Sequence, residues 1–182
     1  MLSDSFQTNY VLVEPRNAKF TLRREKKKWK VYYLGVMYDY HEGYFKDVSR
    51  KGYLGVVKYL IWMGADAHAG NDCVLRLVSE RGHLEVIKYL IGRGADIHAQ
   101  RDYALRWASE RGYLEVVKYL VSQGADVNTE DGCALRWASK NGHLEVTQYL
   151  VGVGADVHVR NDKALKMASE EGHLEVVKYL VS

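Results

Sequence analysis

In "YLEVVKYLVSQ", from Tyr113 to Gln123, the apolar residues Leu114, Val117 and Leu120 fall at i, i+3 and i+6. That spacing lays them along one stripe of an α-helix. Glu115 stands near the positive end of this helix and is placed to pair with Lys118 one turn on. Just before it, "YALRWASE" (103–110) reads as a shorter helix of about eight residues. Its small Ala104, Ala108 and Ser109 permit close approach of a neighbour. Asp102 is a candidate N-cap. Gly124 is a candidate C-terminal cap, because glycine takes the left-handed conformation at no steric cost. "ADVNTED" then reads as a loop.

The same pattern returns in steps of 30. Gly-Ala-Asp falls at 64–66, 94–96, 124–126 and 154–156, and Tyr-Leu begins at 59, 89, 119, 149 and 179. Five units follow: 41–70, 71–100, 101–130, 131–160 and a shortened 161–182. Isolated helices below about 12 residues are marginal in water, so one pair cannot stand alone. Stacking supplies the missing surface, and each unit becomes a core layer for the next.

Residues 1–40 do not follow the period. "KFTLRREKKKWKVYYL" (19–34) has β-rich flanks around a charged centre and reads as a hairpin. Trp62 and Met63 occupy a helix-end slot where later units carry Gly92, Ser122 and Gly152. A bulky apolar pair there wants a cover, and the amino-terminal segment is the nearest candidate for a cap.

At 182 residues, 47% hydrophobic and 27% charged, the composition is ordinary for a soluble domain. No apolar run approaches the roughly 20 residues of a membrane span, and the amino terminus lacks a signal-peptide pattern. An intracellular, monomeric protein is expected, with no membrane contact. Cys73 and Cys133 hold the same slot two units apart. Layers about 10 Å thick would separate them by about 20 Å, beyond disulfide reach. Buried, unpaired thiols are expected. The net charge of +3 comes from the first forty residues, which hold eight Lys/Arg against four Asp/Glu.

"GHLEVVKYLV" followed by "GAD" resembles the second half of an ankyrin repeat, and the likeness extends over 41–182, about three quarters of the chain. The 30-residue unit, the "ND.AL" opening and the "GADIH" close resemble most closely the ankyrin proteins of giant DNA viruses of amoebae, of the mimivirus kind. The resemblance implies an all-α solenoid of stacked helix-turn-helix units, here with a short β-hairpin cap, that binds another protein through its concave face and inter-repeat loops. It also suggests a viral protein acting on host factors.

Departures from the family pattern matter. The usual Thr-Pro-Leu-His opening is replaced by Val74-Leu75-Arg76, Ala104-Leu105-Arg106, Ala134-Leu135-Arg136 and Ala164-Leu165-Lys166. The helix-starting Pro and the His that bonds between units are therefore gone. Three residues are missing relative to the usual 33, which shortens the projecting hairpin.

Several features invite a sharper chemistry. Histidines at 68, 83, 98, 143, 158 and 173 belong to two repeat slots. Stacking spreads each slot along the solenoid, whereas metal ligands must converge within about 2.1 Å of one ion, so structural roles and no metal are expected. Trp107 and Trp137 share one slot, and five tyrosines share another; they could stack bases, but packing between layers is the commoner cause. Arg76, Arg106, Arg136 and Lys166 form a basic row, with Asp72, Asp102 and Asp162 four residues before three of them. The row reads as i, i+4 ion pairs on the helices or as a reader of an acidic partner. "RREKKKWK", Arg23 to Lys30, packs six basic residues into eight and offers an alternative reading as a nucleic-acid site. No phosphate loop, activated nucleophile or isolated carboxylate pair stands outside the repeat, so neither catalysis nor a cofactor is expected.

Partner specificity should lie where units differ while the scaffold stays fixed. Those positions are Asn71, Gln100, Arg101, Tyr103, Arg111, Glu130, Asn141 and Arg160, with Arg76, Arg106 and Arg136 as possible anchors.

Overall fold

A computed structural model describes residues 42–62 and 64–182, together with the backbone of four strands between residues 12 and 39. The side chains of the strands and of Glu42, Ala69 and Asn71 lie outside the described residues. The strands are β1 (Leu12–Val13), β2 (Phe20–Glu25), β3 (Lys28–Tyr33) and β4 (Val36–Asp39), antiparallel in sequence order. In the segment expected to form a hairpin, β2 pairs with β3 from Phe20↔Tyr33 to Glu25↔Lys28.

Ten helices follow in five pairs. They are α1 (Glu42–Arg50) and α2 (Leu54–Trp62), α3 (Ala69–Glu80) and α4 (Leu84–Ile91), α5 (Ala99–Glu110) and α6 (Leu114–Ser122), α7 (Thr129–Lys140) and α8 (Leu144–Gly152), and α9 (Val159–Glu170) and α10 (Leu174–Leu180). Odd-numbered helices pack in one row and even-numbered helices in a second, each touching its counterpart in the next pair. The result is an all-α solenoid whose core repeats with the sequence. Leu75, Leu105 and Leu135 hold one slot, and Leu60, Leu90, Leu120 and Leu150 another, all of them buried.

Both helices of the first four pairs, and α9 of the fifth, close in the same way. Gly124, at φ 104°, donates to the Val121 carbonyl at 3.0 Å, while Ala125 N–H reaches Leu120 O at 3.0 Å. This two-bond closure satisfies carbonyls that the helix end would leave open, and only a left-handed residue permits it. Gly112, at φ 75°, closes α5 likewise, with Tyr113 N–H donating to Ala108 O at 2.9 Å.

The right-handed part of α5 runs from Tyr103, as the sequence suggests, but a left-handed turn at Gln100, Arg101 and Asp102, with φ of 53°, 60° and 54°, precedes it from Ala99. The Asp102 carboxylate bonds elsewhere instead of capping the helix. The same turn recurs at Glu130–Gly132 and Arg160–Asp162. The buried Asp102 carboxylate holds two layers together. It accepts from His98 Nδ1 at 2.9 Å, Thr129 Oγ1 at 2.8 Å and the Asp126 amide at 3.3 Å.

Trp62 is 77% exposed. Met63 and the side chains of the segment expected to cover the pair lie outside the described residues. Cys73 and Cys133 are free and buried, as their spacing requires.

Candidate functional site

The left-handed turns set the geometry of one face. Each turn swings the start of an odd-numbered helix toward the next layer, so loop side chains bridge layers instead of projecting singly. Arg101 pairs with Glu130, and Arg160 Nε donates to Asp131 Oδ2 at 2.6 Å. Arg76 Nη1 donates to Gln100 Oε1 at 3.0 Å. Arg136 turns back on its own helix start, its Nε bonding Asp131 O at 3.0 Å and its Nη2 bonding Glu130 O at 2.9 Å.

The expected i, i+4 pairing of the basic row is not what forms. Asp72, Asp102 and Asp162 accept instead from His68, His98 and His158, at 3.1, 2.9 and 2.8 Å. These histidines lie four residues before the aspartates, across the left-handed turn, and that turn aims the carboxylates away from the arginines that follow. The bond with Asp162 raises the His158 pKa above its ordinary value, favouring the protonated ring. Histidines of the other slot bond between layers: His83 Nε2 reaches Arg50 O at 2.7 Å, and His143 Nε2 reaches Glu110 O at 3.0 Å. These two bonds tie successive helix pairs together. Among the described residues no group of three or more His, Cys, Asp or Glu is placed to hold a metal ion.

Two members of the basic row, Arg76 and Arg106, stack on rings instead. Arg76 lies 5.3 Å from the centre of the Tyr103 ring, and Arg106 lies 5.0 Å from that same ring and 5.2 Å from Trp137. Lys140 continues the ladder 5.0 Å from Trp137. Cations and aromatic faces alternate across α3, α5 and α7, an arrangement worth about 0.5–1 kcal/mol per exposed contact. Packing and basic row, two separate features in the sequence, are one structure.

Between α5 and α7 this ladder borders a cleft of about 370 Å³, lined among others by Gln100, Arg101, Tyr103, Arg106, Glu130 and Cys133. Five of the residues singled out from the sequence thus converge, and Arg76 and Arg136 adjoin them through Gln100 and Glu130. The others lie apart. Arg111 pairs with Glu80 at 3.4 Å near the turn between α5 and α6, Asn141 caps the Trp137 carbonyl at 2.9 Å, and Arg160 bridges α7 to α9. The side chain of Asn71 lies outside the described residues. Thr129, Asp126 and Cys133 also line the cleft and were missed. Thr129 was legible as an exception, since its slot holds Ala69, Ala99 and Val159 elsewhere. Burial pushes the Cys133 thiol pKa up against the opposing influence of Arg106 and Arg136, which favours the protonated, unreactive form.

Stacked helix pairs, layer-bridging loops and a side-chain cleft on the odd-numbered row define a helical-repeat solenoid. A family model described as ankyrin repeats in three copies matches residues 46–131 and again 130–182. The chain belongs to the ankyrin-repeat family. A search of curated proteins found none that matches the chain. Ankyrin repeats are generally protein–protein interaction modules and typically non-enzymatic scaffolds. Among the described residues no helix is long and apolar enough to cross a membrane.

Proposed function

We propose that this protein is a non-enzymatic scaffold that binds one partner protein through the cleft-bearing face of its odd-numbered helices and the loops beside it. The observation that carries this reading is the convergence of unit-specific residues on one cleft: Gln100, Arg101, Tyr103 and Glu130 meet beside Arg106. The apolar residues that repeat from unit to unit fill the core, and repeated residues such as Asp102, Arg106 and Asp126 form the rest of the cleft wall. Residues 41–182 form the binding body, with 1–40 as its cap, and the protein works as an intracellular monomer. The likeness of its 30-residue unit to those of giant DNA viruses supports a viral protein acting on a host factor.

Affinity capture followed by mass spectrometry would name the partner, and single substitutions would locate it. An aromatic anchor at an interface centre is worth about 2 kcal/mol or more. Tyr103→Ala should therefore weaken the partner by about thirtyfold or more while leaving the far-ultraviolet circular dichroism unchanged. If Tyr103→Ala and Arg101→Ala both leave the affinity intact, the face is wrong.

The rival reading places nucleic acid on Arg23 to Lys30, which β2 and β3 bring to one end of their pairing. It requires affinity for duplex DNA to fall with salt at a slope near −0.9 per phosphate neutralised, and to vanish on deletion of 1–40. No binding at low salt ends that reading.

A further inference from the structure

Arg106 differs from the arginines around it. Arg76, Arg101, Arg111, Arg136 and Arg160 each donate to a carboxylate, an amide or a backbone carbonyl. Arg106 makes no hydrogen bond or ion pair among the described residues, although it is half-buried and its Nε is shut from solvent. Rings hold it instead, with Tyr103, Trp107 and Trp137 centred 5.0, 5.9 and 5.2 Å from its guanidinium carbon. Stacking fixes the plane of a guanidinium while leaving its edge donors unmatched. The Nε is shut from solvent, so an acceptor arriving from outside meets the terminal Nη groups, for which the described residues supply no partner and which a charged acceptor engages more strongly than water does.

Arg106 lines the cleft between α5 and α7, whose volume of about 370 Å³ is at the small end of the range for ligand pockets. A carboxylate fits a guanidinium edge in the planar two-oxygen manner. The cleft's own acids decide against a heavier charge. Asp102, Asp126 and Glu130 line it with only Arg101 and Arg106 as cations. Asp102 and Glu130 are already engaged, by His98 and Thr129 and by Arg101. Any anion at Arg106 meets the field of these acids, and a phosphoryl group, carrying about −1.5 to −2, meets nearly twice the repulsion that a carboxylate does.

We propose that the cleft between α5 and α7 is a carboxylate subsite in which Arg106 receives an Asp or Glu side chain of an acidic segment of the partner protein. The subsite rests on the reading of this face as partner-binding and specifies its chemistry.

The probe is a fluorescein-labelled decapeptide of alternating Glu and Ala, amidated at its carboxyl end, titrated against the full chain by anisotropy. The peptide should bind, its Gln-Ala counterpart should not, and Arg106→Lys, which keeps the charge but loses the planar fork, should weaken binding at least tenfold. Arg93→Gln, on the even-numbered row, should leave binding unchanged. On the unsubstituted chain the Arg106 Nε–H resonance should move on peptide addition, a readout that survives if the variants fold poorly. Failure of the Glu-Ala peptide to bind overturns the subsite, and so do full binding by Arg106→Lys, an unmoved Nε–H resonance or tighter binding of a phosphoserine-Ala peptide. A captured partner that is lost on Tyr103→Ala but indifferent to Arg106→Lys would overturn the subsite alone. Indifference to both would overturn the face itself.

Discussion

Gly112 shows how one atom can carry the contact between two layers. A Cβ added there would sit 2.5 Å from His143 Nδ1, whose ring lies flat against the glycine and bonds Glu110 O at 3.0 Å. Gly132 is also left-handed, at φ 65°, yet a Cβ there meets nothing closer than 3.8 Å. Gly132→Ala should therefore cost only the left-handed penalty, about 1 kcal/mol. Gly112→Ala adds the displacement of His143 and the loss of its bond, and should cost at least about 1 kcal/mol more. Urea titration of the two variants checks this, and equal losses would show that the histidine does not couple the layers. The glycines were legible as turn formers, but what lay on them was not, because periodicity says which slot follows and not which atoms touch. Thr147 makes the complementary case. It stands fully buried in a slot held elsewhere by Val57, Ile87 and Val117, and its hydroxyl has no partner. Thr147→Val keeps the shape and removes the unsatisfied group, so stability should rise by about 1 kcal/mol, read as a higher denaturant midpoint at unchanged slope.

At the scale of elements, helix content, pair order and the glycine ends could be read from the 3.6-residue stripe and the 30-residue step. The left-handed turn that opens α5, α7 and α9 could not. Asp102 satisfied the rule for a cap, but the rule assumes an extended backbone there, and the chain makes a left-handed turn. Its signature was present in Gly70-Asn71-Asp72, Asp131-Gly132 and Asn161-Asp162, the residue types that tolerate positive φ. Gln100 and Arg101 obscured it. Between elements, charge pairs bridge the odd-numbered row: Glu80 of α3 reaches Arg111, and Lys140 of α7 reaches Glu171 at 3.8 Å with the polarity reversed. The pair between them is missing. Glu110 keeps a buried, unpartnered Oε2 because the facing residue is Asn141, which is turned to the Trp137 carbonyl. Asn141→Arg should complete the row and add about 0.5 kcal/mol. In a double-mutant cycle with Glu110→Gln that gain should vanish, and a gain that persists would mean the arginine acts elsewhere.

For the whole molecule, repetition makes the scaffold legible and hides the cleft, because the exceptions Tyr103 and Thr129 meet there among residues that repeat. Repetition also fixes how stability is distributed. Each inner layer is covered on both sides, whereas among the described residues α9 and α10 pack on α7 and α8 on one side only. The consequence shows slot by slot. Leu165 is half-buried where Leu135 is 1% exposed, and Leu174 is 60% exposed where Leu84, Leu114 and Leu144 are half-buried. In a stack, stability sums from each unit and its neighbouring interfaces, so a unit with one interface opens before the rest. Amide exchange in α9 and α10 should therefore be faster than in α5 to α8, with an opening free energy well below the global value. The exposed Leu174 and Val181 offer a second outcome, self-association through this end. That outcome would make protection of residues 165–180 rise with protein concentration. Strong protection there in a concentration-independent monomer would mean that the last pair closes the stack unaided, and the one-interface account of its stability would fail.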